Sequence, residues 1–123
     1  MRRILLIEDD RVTQDLLTYL LRAFGYAVEV AGDGVAGVSA AIADPPDLII
    51  CDMQLPKLDG FGIVQRLKDS EVTSTIPIIA VTALAMSGDR EQMIAAGFDG
   101  YIAKPVDPET FVGQIEPFLS AEA

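Results

Sequence analysis

The chain has 123 residues, of which 50% are hydrophobic, and a formal net charge of −10 at pH 7. This length matches one compact domain that needs neither disulfides nor a structural metal to complete its core. The lack of histidine and the single cysteine, Cys51, exclude a zinc site and a Ser–His or Cys–His nucleophile pair. The acidic charge argues against direct binding to a phosphate backbone.

Short apolar runs alternate with helical patterns along the whole chain. The predicted strands cover residues 3–7, 27–31, 47–52, 76–82 and 100–104. Helical patterns fall between them, at 10–24, 33–43, 59–69 and around 88–96, with a last helix after residue 107. Strict alternation of this kind predicts an α/β fold with βαβ units, right-handed crossovers and a parallel sheet.

The ends of the predicted helices carry their own signals. Asp10 is a good N-cap for the first helix, and Asp59 is best interpreted as a turn residue or a helix cap. Asp107 is predicted to cap the last helix, with Pro108 at its favoured first position. Pro117 lies inside that last helix and is expected to kink it or to shorten its final turn.

Polar side chains stand at four of the five predicted strand ends, where the functional groups of open parallel sheets gather. They are Glu8, Asp9 and Asp10 after the first strand, Asp52 at the third, Thr82 at the fourth and Lys104 at the fifth. Taken alone, Thr82 would be a hydroxyl bonded to backbone, Lys104 a solvated lysine, and Asp10 only the helix cap. The remaining carboxylates are harder to explain separately, because three acids at one sheet edge repel one another and require protons or a cation.

A magnesium ion meets that requirement, since Mg²⁺ prefers carboxylate and water ligands and leaves positions for phosphate oxygens. With the ion bound, Asp52 can act as a nucleophile toward phosphorus and form an acyl phosphate. Lys104 and the Thr82 hydroxyl can contact the phosphoryl oxygens. The residues at the strand ends therefore indicate a phosphoryl-accepting aspartate.

Four motifs in order carry a family resemblance: "LLIEDD" (5–10), "DMQLPKLDG" (52–60), "VTA" (81–83) and "YIAKP" (101–105). With these motifs the chain resembles, over essentially its whole length, the receiver domain of two-component response regulators, the CheY-like family. It is nearest in style to DivK-like single-domain regulators and to receivers attached to hybrid histidine kinases. The resemblance implies one receiver domain over residues 1–123, with a (βα)5 flavodoxin-like, doubly wound five-stranded parallel sheet in strand order 2-1-3-4-5.

The resemblance also implies residue roles. Asp52 would be the phosphoacceptor, and Thr82 and Lys104 would contact the phosphoryl group. Magnesium would be held by Glu8, Asp9, Asp52 and the backbone carbonyl of Gln54, with Asp9 a direct ligand and Glu8 acting through water. The remaining implied positions are Tyr101 as the switch aromatic coupled to Thr82, Pro105 after a cis peptide bond, and Gln54 and Leu84 as positions that tune dephosphorylation.

The implied function is that of a phosphorelay signalling switch that catalyses only its own phosphoryl transfer and autodephosphorylation. A histidine kinase or histidine phosphotransfer protein would donate the phosphoryl group, and a downstream effector protein would bind the surface formed by the fourth helix, fifth strand and fifth helix. No nucleic-acid or membrane partner and no DNA-binding output domain are expected. We expect a cytoplasmic protein, since no signal peptide or membrane-spanning run is present. The Met1 start directly before the first strand and the stop after the fifth helix favour a stand-alone regulator, and we expect a monomer or a weak dimer.

Three other interpretations fit parts of the sequence. A Mg²⁺-dependent phosphohydrolase would need a general acid two residues after Asp52, where Gln54 stands. A flavodoxin-like cofactor binder would need a glycine-rich loop after the first strand, where the chain instead reads "IEDDRVTQ" (7–14). A degenerate receiver would have lost the acceptor, the acid pair or the lysine, all of which are present.

Overall fold

The computed structural model describes residues 2–83 and 87–120, without the side chains of 87, 88 and 120. Within these residues the strands are β1 (Arg3–Ile7), β2 (Ala27–Ala31), β3 (Leu48–Asp52), β4 (Ile78–Thr82) and β5 (Gly100–Ala103). The helices are α1 (Arg11–Ala23), α2 (Gly34–Ala43), α3 (Gly60–Asp69), α4 (Ser87–Ala96) and α5 (Phe111–Ser120). None of these helices is long and apolar enough to cross a membrane.

The strands form one parallel sheet in the order β2-β1-β3-β4-β5, which confirms the expected topology. The central strands β3 and β4 are buried at every position, because helices cover both faces of the sheet. The edge strand β2 is exposed at Glu29 and Val30. This arrangement explains why the central strands are continuous apolar runs.

Successive strand residues face opposite sides of the sheet, and the hydrophobic core therefore consists of two layers, one on each face. Leu5 and Ile7 of β1 belong to the layer packed against α2, α3 and α4, whereas Ile4 and Leu6 belong to the layer packed against α1 and α5. The helix residues of the first layer include Val38, Ala41, Ile63, Val64, Leu67 and Met93. Those of the second include Leu17, Leu21, Phe111, Val112, Ile115 and Leu119.

Aspartates cap three of the helices. Asp10 Oδ2 accepts a hydrogen bond from the backbone N of Thr13 at 3.0 Å, and Asp59 Oδ1 accepts one from the backbone N of Gly62 at 3.0 Å. Asp33 caps α2 in the same way. Each such cap contributes about 1 kcal/mol to stability. The predictions for Asp10 and Asp59 as caps are confirmed.

The start of the last helix was predicted only in part: Asp107 Oδ1 accepts a hydrogen bond from the backbone N of Glu109 at 2.9 Å, as a capping side chain does, but α5 itself begins at Phe111. Residues 108–110 form a turn, in which the Asp107 carbonyl accepts hydrogen bonds from the backbone N of Thr110 at 3.2 Å and of Phe111 at 3.0 Å. Pro108 therefore precedes the helix. Pro117 does not shorten α5, which continues to Ser120 with Leu119 buried in the core. Leu84, whose expected role was in dephosphorylation, lies outside the described residues.

Candidate functional site

The site lies at the carboxyl edge of the sheet, where the last residues of neighbouring parallel strands lie side by side. Glu8 directly follows β1, Asp52 ends β3, Thr82 ends β4 and Lys104 follows β5. Cys51 pairs with Ile7 across β1 and β3, so Glu8 and Asp52 are neighbours. Asp52 of β3 pairs with Val81 of β4, next to Thr82. Thr82 pairs with Ala103 of β5, and the backbone N of the next residue, Lys104, donates to the Thr82 carbonyl at 2.8 Å.

Three carboxylates converge there. Glu8, Asp9 and Asp52 each place a carboxylate oxygen within 4.8 Å of the others. Glu8 is 1% exposed and Asp52 5% exposed, while Asp9 lies at the surface. Two acids therefore lie below the surface and one stands at the rim, open to solvent.

Hydrogen bonds from the start of α1 hold Glu8 in place. Its Oε2 accepts from the backbone N of Asp10 at 2.9 Å. The side-chain amide of Gln14 donates to the Glu8 carbonyl, and the backbone N of Glu8 donates to the Ala31 carbonyl at 3.0 Å. Sequence reasoning did not single out Gln14, because its position one turn after the Asp10 cap matches no motif. The result is a glutamate side chain anchored beneath the helix terminus.

Lys104 faces the two buried acids. Its Nζ lies 3.0 Å from Asp52 Oδ2 and 3.7 Å from Glu8 Oε1. The peptide bond between Lys104 and Pro105 is cis. A single ammonium group thus stands against three carboxylates.

The pKa values record this imbalance. Burial raises the pKa of Glu8 from 4.5 to about 7; the bond from Asp10 and the charge of Lys104 oppose this shift, while the charge of Asp52 adds to it. Burial alone would lower the pKa of Lys104, but its hydrogen bond to Asp52 and the charges of the three acids outweigh burial and raise that pKa. The lysine stays charged at neutral pH, whereas burial favours the protonated form of Glu8.

A groove borders the carboxylates on the side of α3. Its volume is about 640 Å³, and Asp9, Gln54, Pro56, Asp59 and Phe61 contribute to its walls. The backbone N of Gln54 donates to Asp52 Oδ1 at 3.1 Å, so the loop after β3 is tied to the aspartate. The groove reaches the carboxylates at Asp9, on the rim of the site.

Tyr101 lies in β5 opposite Ala80 of β4 and packs, half-buried, against the core layer beneath α2, α3 and α4. The guanidinium carbon of Arg90, on α4, lies 5.4 Å from the centre of its ring, within cation–π distance. The sequence pattern did not identify Arg90 as a partner of Tyr101, because the two residues belong to different elements and share no motif.

The donor set suits a hard divalent cation. Three carboxylates, those of buried Glu8 and Asp52 and of Asp9 at the rim, face the ammonium group of Lys104. The site therefore has less positive than negative charge, and the pKa of Glu8 is raised. Oxygen ligands of this kind are those that Mg²⁺ prefers, with open positions for water or phosphate oxygens. Asp52, bonded to Lys104, is also placed as a carboxylate nucleophile.

Known proteins are similar to this chain over most of its length. Residues 4–116 match the family model described as the response regulator receiver domain. The chain is 36% identical over 118 residues to the polar-differentiation response regulator DivK of Brucella ovis, covering 96% of both chains. It is 41% identical over 119 residues to the DNA-binding dual master transcriptional regulator RpaA of Synechocystis sp., covering 97% of this chain and 49% of RpaA. The chain thus spans about half the length of RpaA.

Solved structures share the fold. The receiver domain of the sensor histidine kinase PA1611 from Pseudomonas aeruginosa, which has a magnesium ion coordinated in its active site cleft, is 35% identical with a TM-score of 0.89, covering 97% of this chain and 98% of that chain. The chemotaxis protein CheY4 of Vibrio cholerae is 27% identical with a TM-score of 0.91, covering 97% of this chain and 99% of that chain.

Proposed function

Because the chain belongs to the response regulator receiver family, we propose that it is a two-component phosphorelay regulator in which Asp52 accepts a phosphoryl group from a phosphohistidine. The observation that carries the proposal is the 3.0 Å contact between Lys104 Nζ and Asp52 Oδ2, beside carboxylates that lie within 4.8 Å of one another. Residues 1–123 form one receiver domain in this proposal.

The metal ligands in this proposal are Glu8, Asp9, Asp52 and the backbone carbonyl of Gln54. Asp9 at the rim serves as a direct ligand and buried Glu8 acts through water. When bound, Mg²⁺ neutralises the charge that builds up on the carboxylates and on the phosphoryl oxygens. The burial of Glu8 and the adjacent charge of Asp52, which together raise the pKa of Glu8, support this assignment.

Phosphoryl transfer uses the side chains of the chain itself. A carboxylate oxygen of Asp52 attacks the phosphorus of the phosphohistidine, an O–P bond forms, and the N–P bond breaks to release the imidazole of the donor. Lys104 moves its ammonium from the carboxylate to a phosphoryl oxygen, and the Thr82 hydroxyl donates to another. Attack of water on the acyl phosphate returns free Asp52 and inorganic phosphate, so the protein catalyses only its own transfer and dephosphorylation.

The phosphodonor in this proposal is a histidine kinase or histidine phosphotransfer protein that docks beside α1. A groove of about 480 Å³ separates α1 from the loop after β5, lined by Thr13, Leu16, Lys104, Pro105 and Val106 among others. Val12 adds an exposed apolar side chain next to it. The mostly apolar walls offer a contact surface that ends at Lys104, close to Asp52.

The output in this proposal is binding of an effector protein to the surface of α4, β5 and α5. Phosphorylation adds about −1.5 to −2 charges and draws Thr82 and Lys104 toward the phosphoryl group. Tyr101 then changes position as Thr82 moves, which alters that surface. No nucleic-acid or membrane partner enters the proposal, and the cytoplasm is its proposed location.

Incubation with acetyl phosphate and Mg²⁺, followed by intact mass measurement under conditions that preserve acyl phosphates, tests the proposal. We expect one phosphoryl adduct that is absent in Asp52→Asn and after chelation with EDTA. Asp59→Asn is the matched control, because Asn also serves as an N-cap and Asp59 lines the same region. Phosphorylation of Asp52→Asn at the wild-type level, or steady turnover of many unrelated phosphate esters, would contradict the proposal.

A further inference from the structure

Helix α2 carries no charged side chain in its ten residues, although charged residues make up 23% of the chain. Its inner face consists of Gly34, Gly37, Val38 and Ala41. A Cβ at Gly37 would lie 2.5 Å from Cδ1 of Ile7, so the helix backbone lies directly against β1. The inner face therefore accounts for only part of the apolar character of the helix.

The outer side of the same helix is also apolar. Val35 is 46% exposed and Ile42 is 42% exposed, and their spacing of seven residues places them on one face. Ala36, Ser39 and Ala43 are exposed as well, and together these five residues are called the α2 face. Surface helices normally carry charged or polar side chains at such positions.

Opposite charges project from the two ends of α2. At its N-terminal end Lys57 Nζ lies 3.5 Å from Asp33, and the lysine side chain is 68% exposed. At its C-terminal end Asp44 lies 2.9 Å from Nη2 of Arg3, and the aspartate side chain is 74% exposed. The more exposed partner is the cation Lys57 in the first ion pair and the anion Asp44 in the second. The two ends of α2 therefore differ in the sign of their most exposed charge.

We propose that the α2 face binds a second copy of this chain, with the two α2 helices antiparallel about a twofold axis close to Ser39. Antiparallel pairing places Val35 of each copy against Ile42 of the other and Lys57 against Asp44. A surface that is apolar in the middle and opposite in charge at its ends is complementary to itself under twofold symmetry. Parallel pairing would instead place Lys57 against Lys57.

The interface is small. A helix of ten residues is about 15 Å long and covers far less than the roughly 800 Å² per partner of a standard stable interface. Each copy also carries a net charge of −10, so two copies repel each other. The repulsion is least at the α2 face, which has no charged residue. The dimer is therefore weak and forms in a concentration-dependent manner.

Sedimentation velocity of the full chain, from micromolar concentration to about 1 mM, tests this surface. We expect the average sedimentation coefficient of the wild type to rise with concentration and that of Ile42→Asp to stay at the monomer value, with association weakened about tenfold or more. Val72→Asp is the matched control, because Val72 is exposed outside α2, and it should associate like the wild type. A wild type that stays monomeric throughout, Ile42→Asp that associates normally, or Val72→Asp that loses association equally overturns the proposal.

A charge exchange provides a second test that does not depend on the apolar substitution. Lys57→Glu should weaken association by placing like charges together, and adding Asp44→Lys should restore it in the exchanged orientation. Circular dichroism confirms that each variant is folded. Failure of the double variant to recover association contradicts the antiparallel arrangement. None of these measurements depends on phosphorylation of Asp52, so the outcome is separate from that of the proposed function.

Discussion

Replacing the buried acid Glu8 by its neutral isostere should stabilise the metal-free protein at alkaline pH. Glu8 is 1% exposed beside the charge of Asp52, and its pKa is raised from 4.5 to about 7. The folded state therefore holds a proton that the unfolded state has already released. Stability falls as pH rises from about 4.5 to about 7, and the full penalty is present above that range.

The size of the effect follows from the same shift. A pKa displaced from 4.5 to about 7 corresponds to at most ~3 kcal/mol at 1.36 kcal/mol for each pKa unit. Relaxation of the protein around a buried charge lowers the penalty below this bound, to about 1–2 kcal/mol. Glu8→Gln keeps an oxygen that can accept from the backbone N of Asp10, so the change mainly removes the charge.

Urea unfolding in EDTA at pH 5 and pH 8 measures the difference. Glu8→Gln should exceed the wild type by about 1–2 kcal/mol at pH 8 and by much less at pH 5, with an unchanged slope against urea. Glu29→Gln, on the exposed edge strand β2, is the matched control and should change stability little at either pH. A Glu8→Gln variant that is no more stable at pH 8, or that gains equally at both pH values, would refute the reasoning.

Three further predictions concern metal binding, the contact between Arg90 and Tyr101, and the packing of glycines. Mg²⁺ should raise the free energy of unfolding by about 2.7 kcal/mol at one hundred times its Kd, and EDTA should reverse the gain in thermal melts. Arg90→Ala should shift the fluorine NMR signal of fluorotyrosine-labelled Tyr101 and leave the other two tyrosine signals unchanged, because the guanidinium over the ring is lost; three unchanged signals would contradict it. Gly34→Ala should destabilise by about 1–3 kcal/mol in urea unfolding, since its Cβ would lie 2.0 Å from a backbone carbonyl oxygen. Gly113→Ala, whose Cβ has no atom within 4 Å, should instead stabilise α5 by about 0.5–1 kcal/mol, and similar losses in both variants would contradict the steric argument.

Much of the fold could be predicted from local patterns. The run at 3–7 and the run at 27–31 match β1 and β2 residue for residue. The buried strand β1 is visible as consecutive apolar residues, and the partly exposed edge strand β2 as a short run with two valines. Asp10 and Asp59 were recognisable as caps because capping depends on one side chain and the next three residues. The start of α5 was placed at Pro108 instead of Phe111, because Asp107 caps the turn at 108–110 that leads into the helix, and a capped turn and a helix start share the same local sequence signal.

The candidate site could also be predicted only in part. The presence of acids, a threonine and a lysine at the strand ends could be predicted, since the chain order of strands and polar residues is a local property. Only the tertiary structure decided that Lys104 approaches Asp52 at 3.0 Å and that Glu8 is buried deeply enough to raise its pKa. Gln14 and Arg90 also became visible only there. The physical reason is that distances, burial and charge balance depend on strand order and on elements far apart in the chain, which no local pattern records.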